Sequence, residues 1–231
     1  MSRKQKHKLV TFGEIAHRAF SKGAPREKSV DGEKHPVKIR TIPVMWGIPC
    51  DELGFSKFWR RFVTTANYMP WDSFAISEGT YLEKARNRIH NNFLTSNLPY
   101  LMMLDSDILF PPDTLERLLV HKLPMVGGWY KDKNAEDHHP VIYDFIEDKD
   151  GMAIFRHRKE PGTGLERVGG MGAGCWLMSR EVAQALGEDP YGHNIAGGGE
   201  DMKLCRRLLE LNIPLYVDWT INCAHVGVGF V

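Results

Sequence analysis

Residues 98–108 read L-P-Y-L-M-M-L-D-S-D-I, a run that is apolar at every position from Tyr100 to Leu104 and then turns acidic. A strand with one face in water alternates apolar and polar residues. A short run without alternation suits a strand covered on both faces, as at the centre of a parallel sheet. In open sheets of that kind ligands bind beyond the carboxyl ends of the strands, which is where Asp105 and Asp107 stand. Two carboxylates two residues apart, with Ser106 between them, can offer oxygens to a hard divalent cation, Mn2+ or Mg2+, that also bridges substrate phosphates. An Asp pair in this place also suits a helix cap or a solvated turn, so the pair alone leaves both open.

Outward from the pair, strand-like and helix-like segments alternate. Upstream, residues 37–48 read as a first strand stopped by Pro49, 55–68 as an amphipathic helix, 73–77 as a short strand and 81–95 as a helix. Downstream, Pro111 and Pro112 open a helix over 114–121, because a first helical turn loses no bond to a missing N–H. Residues 125–130 form another apolar strand, and 138–168 alternate short β-like runs with polar turns, predicting a small antiparallel excursion. Residues 173–178 return to the sheet, helices follow over 181–186 and 201–212, and 215–218 is a last strand. The alternation predicts an α/β fold with a mostly parallel central sheet. No internal repeat or low-complexity tract interrupts it.

A chain of 231 residues, 42% hydrophobic and 26% charged, has material for one complete core and little room for a second. Residues 12–20 have helical spacing, but S-K-G-A-P-R-E-K-S-V-D-G-E-K-H-P then breaks any pattern and reads as a linker. The expected organisation is therefore a basic extension and linker over 1–36 and one domain over 37–231. The formal net charge of +1 conceals an asymmetry: residues 1–40 carry eleven Lys/Arg against four Asp/Glu, a local +7 that the remainder offsets with −6. Such an arm suits either a solvated tail or contact with an anionic partner, such as an anionic polymer or a modified nucleic acid. No run of about eighteen apolar residues exists, and no apolar stretch follows M-S-R-K-Q-K-H-K, so neither a membrane span nor secretion is expected. Cys50, Cys175, Cys205 and Cys223 form no C-x-x-C pair and read as reduced, buried thiols in a cytoplasmic compartment, which for a phage or viral protein would be the host's.

Other candidate groups are weaker individually. G-G-G-E-D, residues 197–201, opens the helix over 201–212. A carboxylate at a helix N-terminus is stabilised by the dipole, so Glu200 or Asp201 can serve as a base or merely cap the helix. His225, in A-H-V-G, can complete an oxygen-rich metal shell, although a single histidine is usually structural. His138 and His139 show no carboxylate partner at ligand spacing. Arg86 and Arg88 in A-R-N-R lie on different sides of a helix, so at most one faces a cleft and pairs with phosphate or carboxylate.

Taken in order, I-P at Ile48 and Pro49, A-R-N from Ala85, L-D-S-D-I from Leu104, V-G-G-W-Y from Val126, G-G-G-E-D and the late histidine resemble the GT-A glycosyltransferases, over residues 39–225. The resemblance implies a metal-dependent enzyme that moves a sugar from a nucleotide-sugar donor, with uridine as base, to an acceptor hydroxyl with inversion. It implies that Pro49, Arg86, Asp105 and Asp107 bind the donor and that Asp105, Asp107 and His225 supply the metal site. Asp201 would deprotonate the acceptor, and Gly170 to Trp176, with Trp129 and Tyr130, would line the acceptor side. Many relatives carry an Asp pair after the second strand to read the base. Here F-A-I-S-E-G stands instead, with Glu78 as the substitute.

Three alternatives remain. A haloacid dehalogenase-like phosphatase also places D-x-D after a strand, but its motif falls near the domain start and a later D-D pair follows. A sugar nucleotidyltransferase needs a G-x-G loop where this chain has I-P-C-D-E-L-G. An inactive nucleotide- or carbohydrate-binding module of the same fold would not need Asp201.

Overall fold

The computed structural model describes residues 28–30, 33–35, 40–50, 58–60, 62, 66, 68–78, 81–147, 153–192 and 199–226. The expected helix over 12–20 lies outside them; of that over 55–68, residues 58–60 and 62 are helical. The chain divides into two compact units, Met1–Lys38 and Ile39–Val231. In the first, β1 (Lys28–Val30) pairs antiparallel with β2 (Glu33–His35), so the stretch expected to be a patternless linker contains a short ladder.

The second unit begins with β3 (Val44–Pro49), every residue of which is buried, and continues through β4 (Ser73–Ser77), α1 (Leu82–Thr95) and β5 (Tyr100–Leu104). Then come β6 (Ile108–Leu109), α2 (Thr114–Val120), β7 (Met125–Trp129), β8 (Ile142–Glu147), β9 (Ala153–His157) and β10 (Leu165–Val168). The chain proceeds through β11 (Gly170–Met171), β12 (Cys175–Ser179), α3 (Arg180–Leu186), α4 (Glu200–Glu210), β13 (Leu215–Asn222) and β14 (Ala224–His225).

The central sheet has seven strands in the order β10-β13-β7-β12-β5-β3-β4. Strands β3, β4, β5, β7 and β13 run one way; β12 runs against β5 and β7, and β10 against β13. The fold is thus α/β with a mostly parallel sheet. The expected excursion is the three-stranded antiparallel sheet β11-β8-β9. A separate two-residue ladder joins β14 to β6, with His225 opposite Ile108.

Leu101, Met102, Met103 and Leu104 are wholly buried, and at about 1.5–3 kcal/mol for each large apolar side chain they anchor the middle of the sheet. Helix α1 lies close on β3: a Cβ at Gly47 would sit 2.5 Å from Ile89 Cγ2, so only glycine admits the helix here. Ala85, Arg86, Ile89, His90 and Phe93 form the helix face turned inward, which carries Arg86 into the protein while Arg88 stays exposed. The four cysteines are free and buried. Among the described residues no helix is long and apolar enough to cross a membrane.

Candidate active site

The carboxyl ends of β3, β5 and β7, the start of α1, the first turn of α4 and β14 surround a cleft of about 560 Å3. Asp105 and Asp107 enter it from the end of β5. They cap no helix: a turn closed by the Ile108 N–H on the Asp105 carbonyl, at 3.1 Å, leads directly into β6. The β6–β14 ladder brings the distant His225 to the same place, reinforced by the Val226 N–H on the Asp107 carbonyl at 2.7 Å.

Asp107 Oδ2 meets His225 Nε2 at 3.0 Å and accepts from Lys133 Nζ at 2.6 Å. His225 Nδ1 faces the Lys131 carbonyl oxygen at 3.1 Å and Nε2 faces Asp107 Oδ2, so both ring nitrogens meet acceptors; with Nδ1 donating to the carbonyl, Nε2 is the nitrogen a metal would take. Burial alone would raise the Asp107 carboxyl, but the hydrogen bonds and charges of His225 and Lys133 outweigh it and hold it below the usual carboxylate range.

Asp105 has a different partner. Both of its oxygens accept from Arg86 Nη2, at 2.8 and 2.7 Å, and Arg86 Nη1 pairs with Glu200 at the start of α4. The guanidinium is 2% exposed. Arg86 therefore ties the end of β5 to the first turn of α4 from inside the protein.

Among the described residues Asp201, next to Glu200, makes no ion pair; its Oδ1 accepts from the Met202 N–H at 2.8 Å. Burial pushes its carboxyl above the usual range, and the Arg86 charge offsets this only in part. Tyr130, at the end of β7, accepts from the Gly174 N–H at 3.1 Å. Burial and the Asp105 and Asp201 charges raise its phenol well above its ordinary value, so it stays protonated and can donate.

Among the described residues no three His, Cys, Asp or Glu side chains group as a self-contained metal site. Asp107 and His225 nevertheless suit two corners of one: adjacent ligands about 2.1 Å from an octahedral ion lie roughly 3 Å apart, and these donors are 3.0 Å apart. An ion held so would complete its shell with water and substrate phosphates, as Mg2+ commonly does. The residues present fit such a metal. The lining also has the matching charge: among the described residues, Asp105, Asp107, Asp132, Glu200 and Asp201 face only Arg86 and Lys133 as permanent cations. A diphosphate entering alone would meet net repulsion.

No protein-family model matches the chain, and no curated protein matches it. Among solved structures, A197 from STIV aligns with a TM-score of 0.58 at 17% identity, over 83% of this chain and 86% of that one. GalNAc-T7, solved with UDP, GalNAc and Mn2+, aligns with a TM-score of 0.53 at 14% identity over 80% of this chain. The match spans 44% of the GalNAc-T7 chain, less than half its length. The fold is GT-A-like.

On this GT-A-like sheet several expected site residues fall elsewhere. Trp176, expected beside an acceptor, is wholly buried at the middle of β12, where antiparallel pairing on both sides leaves its ring in the core. Trp129 is also buried, its indole N–H donating to the Trp219 carbonyl at 2.8 Å. The glycine at 172 makes room for Tyr130, whose hydroxyl a Cβ there would strike. Glu78 lines not this cleft but a second depression of about 410 Å3, with Ser77 and Arg88. Asp105 turns its oxygens to Arg86, so Asp105, Asp107 and His225 do not converge as a three-ligand set. Pro49 does line the cleft. His139 has carboxylate and imidazole partners after all, Asp137 at 2.6 Å and His157 at 2.9 Å. Lys133 was missed, although K-D-K directly follows an apolar strand and the strand-end rule that singled out Asp105 applies equally there.

Proposed function

We propose that this chain is a metal-dependent glycosyltransferase of hexosyltransferase type, acting in the cytoplasm on a UDP-linked sugar donor and an acceptor hydroxyl, with inversion. The observation that carries the reading is the meeting of Asp107 and His225, 118 positions apart, inside an acidic cleft that also holds Asp201. Asp107 and His225 would hold Mn2+ or Mg2+, which when bound neutralises the diphosphate and the charge that develops on it as the sugar leaves.

The chain's own residues divide the remaining work. Asp201, its carboxyl raised by burial, takes the proton of the acceptor hydroxyl as that oxygen attacks C1. The new C1–O bond forms as the bond from C1 to the diphosphate oxygen breaks, and the electron pair departs with the diphosphate. In-line displacement inverts C1. Glu200, expected as an alternative base, is neutralised by Arg86 and is the poorer proton acceptor of the two. Arg86 positions Asp105 and Glu200, leaving Asp105 to contact the nucleotide end of the donor. Tyr130 lies close enough for its ring to meet that of His225 edge-on, centroids 5.2 Å apart, and braces the imidazole.

The direct test is a thermal-shift screen of nucleotide sugars with and without Mn2+, since a ligand that binds only the folded state raises the melting temperature. A donor that stabilises the protein only with Mn2+ is expected. No metal-dependent response to any donor would refute the reading.

A further inference from the structure

Lys133 stands where a cation should. Its ammonium lies 2.6 Å from Asp107 Oδ2, the same oxygen that meets His225 Nε2. The loop that carries it is closed at its base by the Lys131–Pro140 bridge and the Val141 N–H on the Tyr130 carbonyl at 2.9 Å. Within the loop, the Asp132 N–H donates to the His139 carbonyl at 2.9 Å, and the Asn134 N–H to Asp132 Oδ1 at 2.8 Å. The same loop fixes His225 through the Lys131 carbonyl. One turn of chain thus orients one donor of the proposed metal pair and neutralises the other.

The two basic lining residues are not equivalent. Arg86 is buried between Asp105 and Glu200 with its fork engaged. Lys133 has a flexible four-carbon stem and a side chain 34% exposed. A single ammonium on Asp107 is weaker competition than a divalent ion that arrives with a diphosphate. Once displaced, the ammonium is left beside the diphosphate oxygens, in an otherwise acidic cleft.

We propose that Lys133 is a donor-binding residue that holds Asp107 in the nucleotide-free protein and moves onto the donor's diphosphate when the metal takes its place. This rests on the metal-dependent reading above. It makes the cleft prefer metal and diphosphate together over either alone, because each removes an obstacle to the other.

The test uses the full chain and the variants Lys133→Met and Lys133→Arg. Mn2+ binding to nucleotide-free protein is read from the free-ion electron paramagnetic resonance signal. Binding of inorganic pyrophosphate in the presence of Mg2+ is read by calorimetry, which makes the outcome independent of the nucleotide base. Lys133→Met should bind Mn2+ at least threefold more tightly than wild type and magnesium pyrophosphate at least fivefold more weakly, and Lys133→Arg should keep pyrophosphate affinity within about threefold. Equal Mn2+ and pyrophosphate affinities in wild type and Lys133→Met would overturn the proposal while leaving the metal reading intact. Absence of Mn2+ binding in wild type and both variants would overturn the metal reading, and this proposal with it. Unchanged circular dichroism establishes that each variant is folded.

Discussion

Replacing Arg86 with methionine tests whether the cleft is held together from within. The guanidinium is 2% exposed and bridges two carboxylates, Asp105 and Glu200, whose side chains are 17% and 18% exposed. Methionine keeps most of the stem volume and removes the charge, which leaves both carboxylates facing each other without compensation. Breaking a buried pair by deleting one partner costs roughly 3–5 kcal/mol, and because the carboxylates retain some water the lower end, about 3 kcal/mol, is expected. For a domain of this size about 1 kcal/mol moves the melting midpoint by roughly 2–4 °C, so the variant should melt about 6–12 °C below wild type. Urea and thermal unfolding of wild type, Arg86→Met, Glu200→Gln and the double variant complete the cycle. The double variant should be more stable than Arg86→Met, since it carries one stranded charge fewer. An Arg86→Met protein within about 1 kcal/mol of wild type would refute the argument that this pair joins α4 to β5.

Asp201→Asn should lower turnover by roughly 10²–10⁴-fold while leaving the donor-induced thermal shift in place. Because burial raises the Asp201 carboxyl, the base form is lost as pH falls through a value above the ordinary carboxylate range, and the acid limb of kcat/KM should lie correspondingly high; a limb at the ordinary position counts against Asp201. Asp107→Asn should abolish the Mn2+-dependent part of the donor-induced shift, and an unchanged shift would exclude Asp107 as ligand. Burial would raise the Asp218 carboxyl, but bonds from Thr220 and His121 outweigh it and hold it below the usual range. Its stabilising contribution is therefore present above the unfolded value and lost as pH falls through the folded one. Unfolding measured across the acid range should show a flatter pH dependence for Asp218→Asn; equal slopes would contradict this. Trp176→Ala should cost about 3–5 kcal/mol of stability, and Trp176→Phe should leave the acceptor KM unchanged, a result that a sugar-stacking role would not give.

The sequence carried the elements whose burial is uniform or periodic. Tyr100–Leu104 matches β5, and 73–77 and 81–95 match β4 and α1 to within one residue. It did not carry pairing direction: C-W-L-M-S is as apolar as a parallel strand, and only the chain's route shows that β12 runs against its neighbours. Two-residue strands such as β6 and β14 have no period to read, yet they bring His225 to Asp107. Arg86 and Glu200 are individually unremarkable polar residues 114 positions apart, and their pairing depends on tertiary approach alone. Of the first strand expected over 37–48, residues 37–39 lie outside the described residues and 40–43 precede the ladder, which begins at Val44 although Thr41 and Ile42 are β-formers. Asp72 fixes that start by accepting from the Val44 N–H and from the Trp46 indole, each at 3.0 Å.

The late place of β12 in the sequence and its central place in the sheet bear on how the chain folds as it is synthesised. Strands β3, β4 and β5 emerge early and β7 soon after, but β5 and β7 are not neighbours; the strand between them, Cys175–Ser179, comes some 45 residues after β7. Until it inserts, β5 presents one unpaired hydrophobic edge and β7, whose other neighbour β13 is made later still, presents two, all of the kind that recruits foreign strands. A nascent chain stalled before residue 175 therefore has three sticky margins, one on β5 and two on β7, and no means of joining them. Fragments that end between β12 and β13 should aggregate less than fragments that end before β12, and full solubility should return only once β13 covers the other edge of β7.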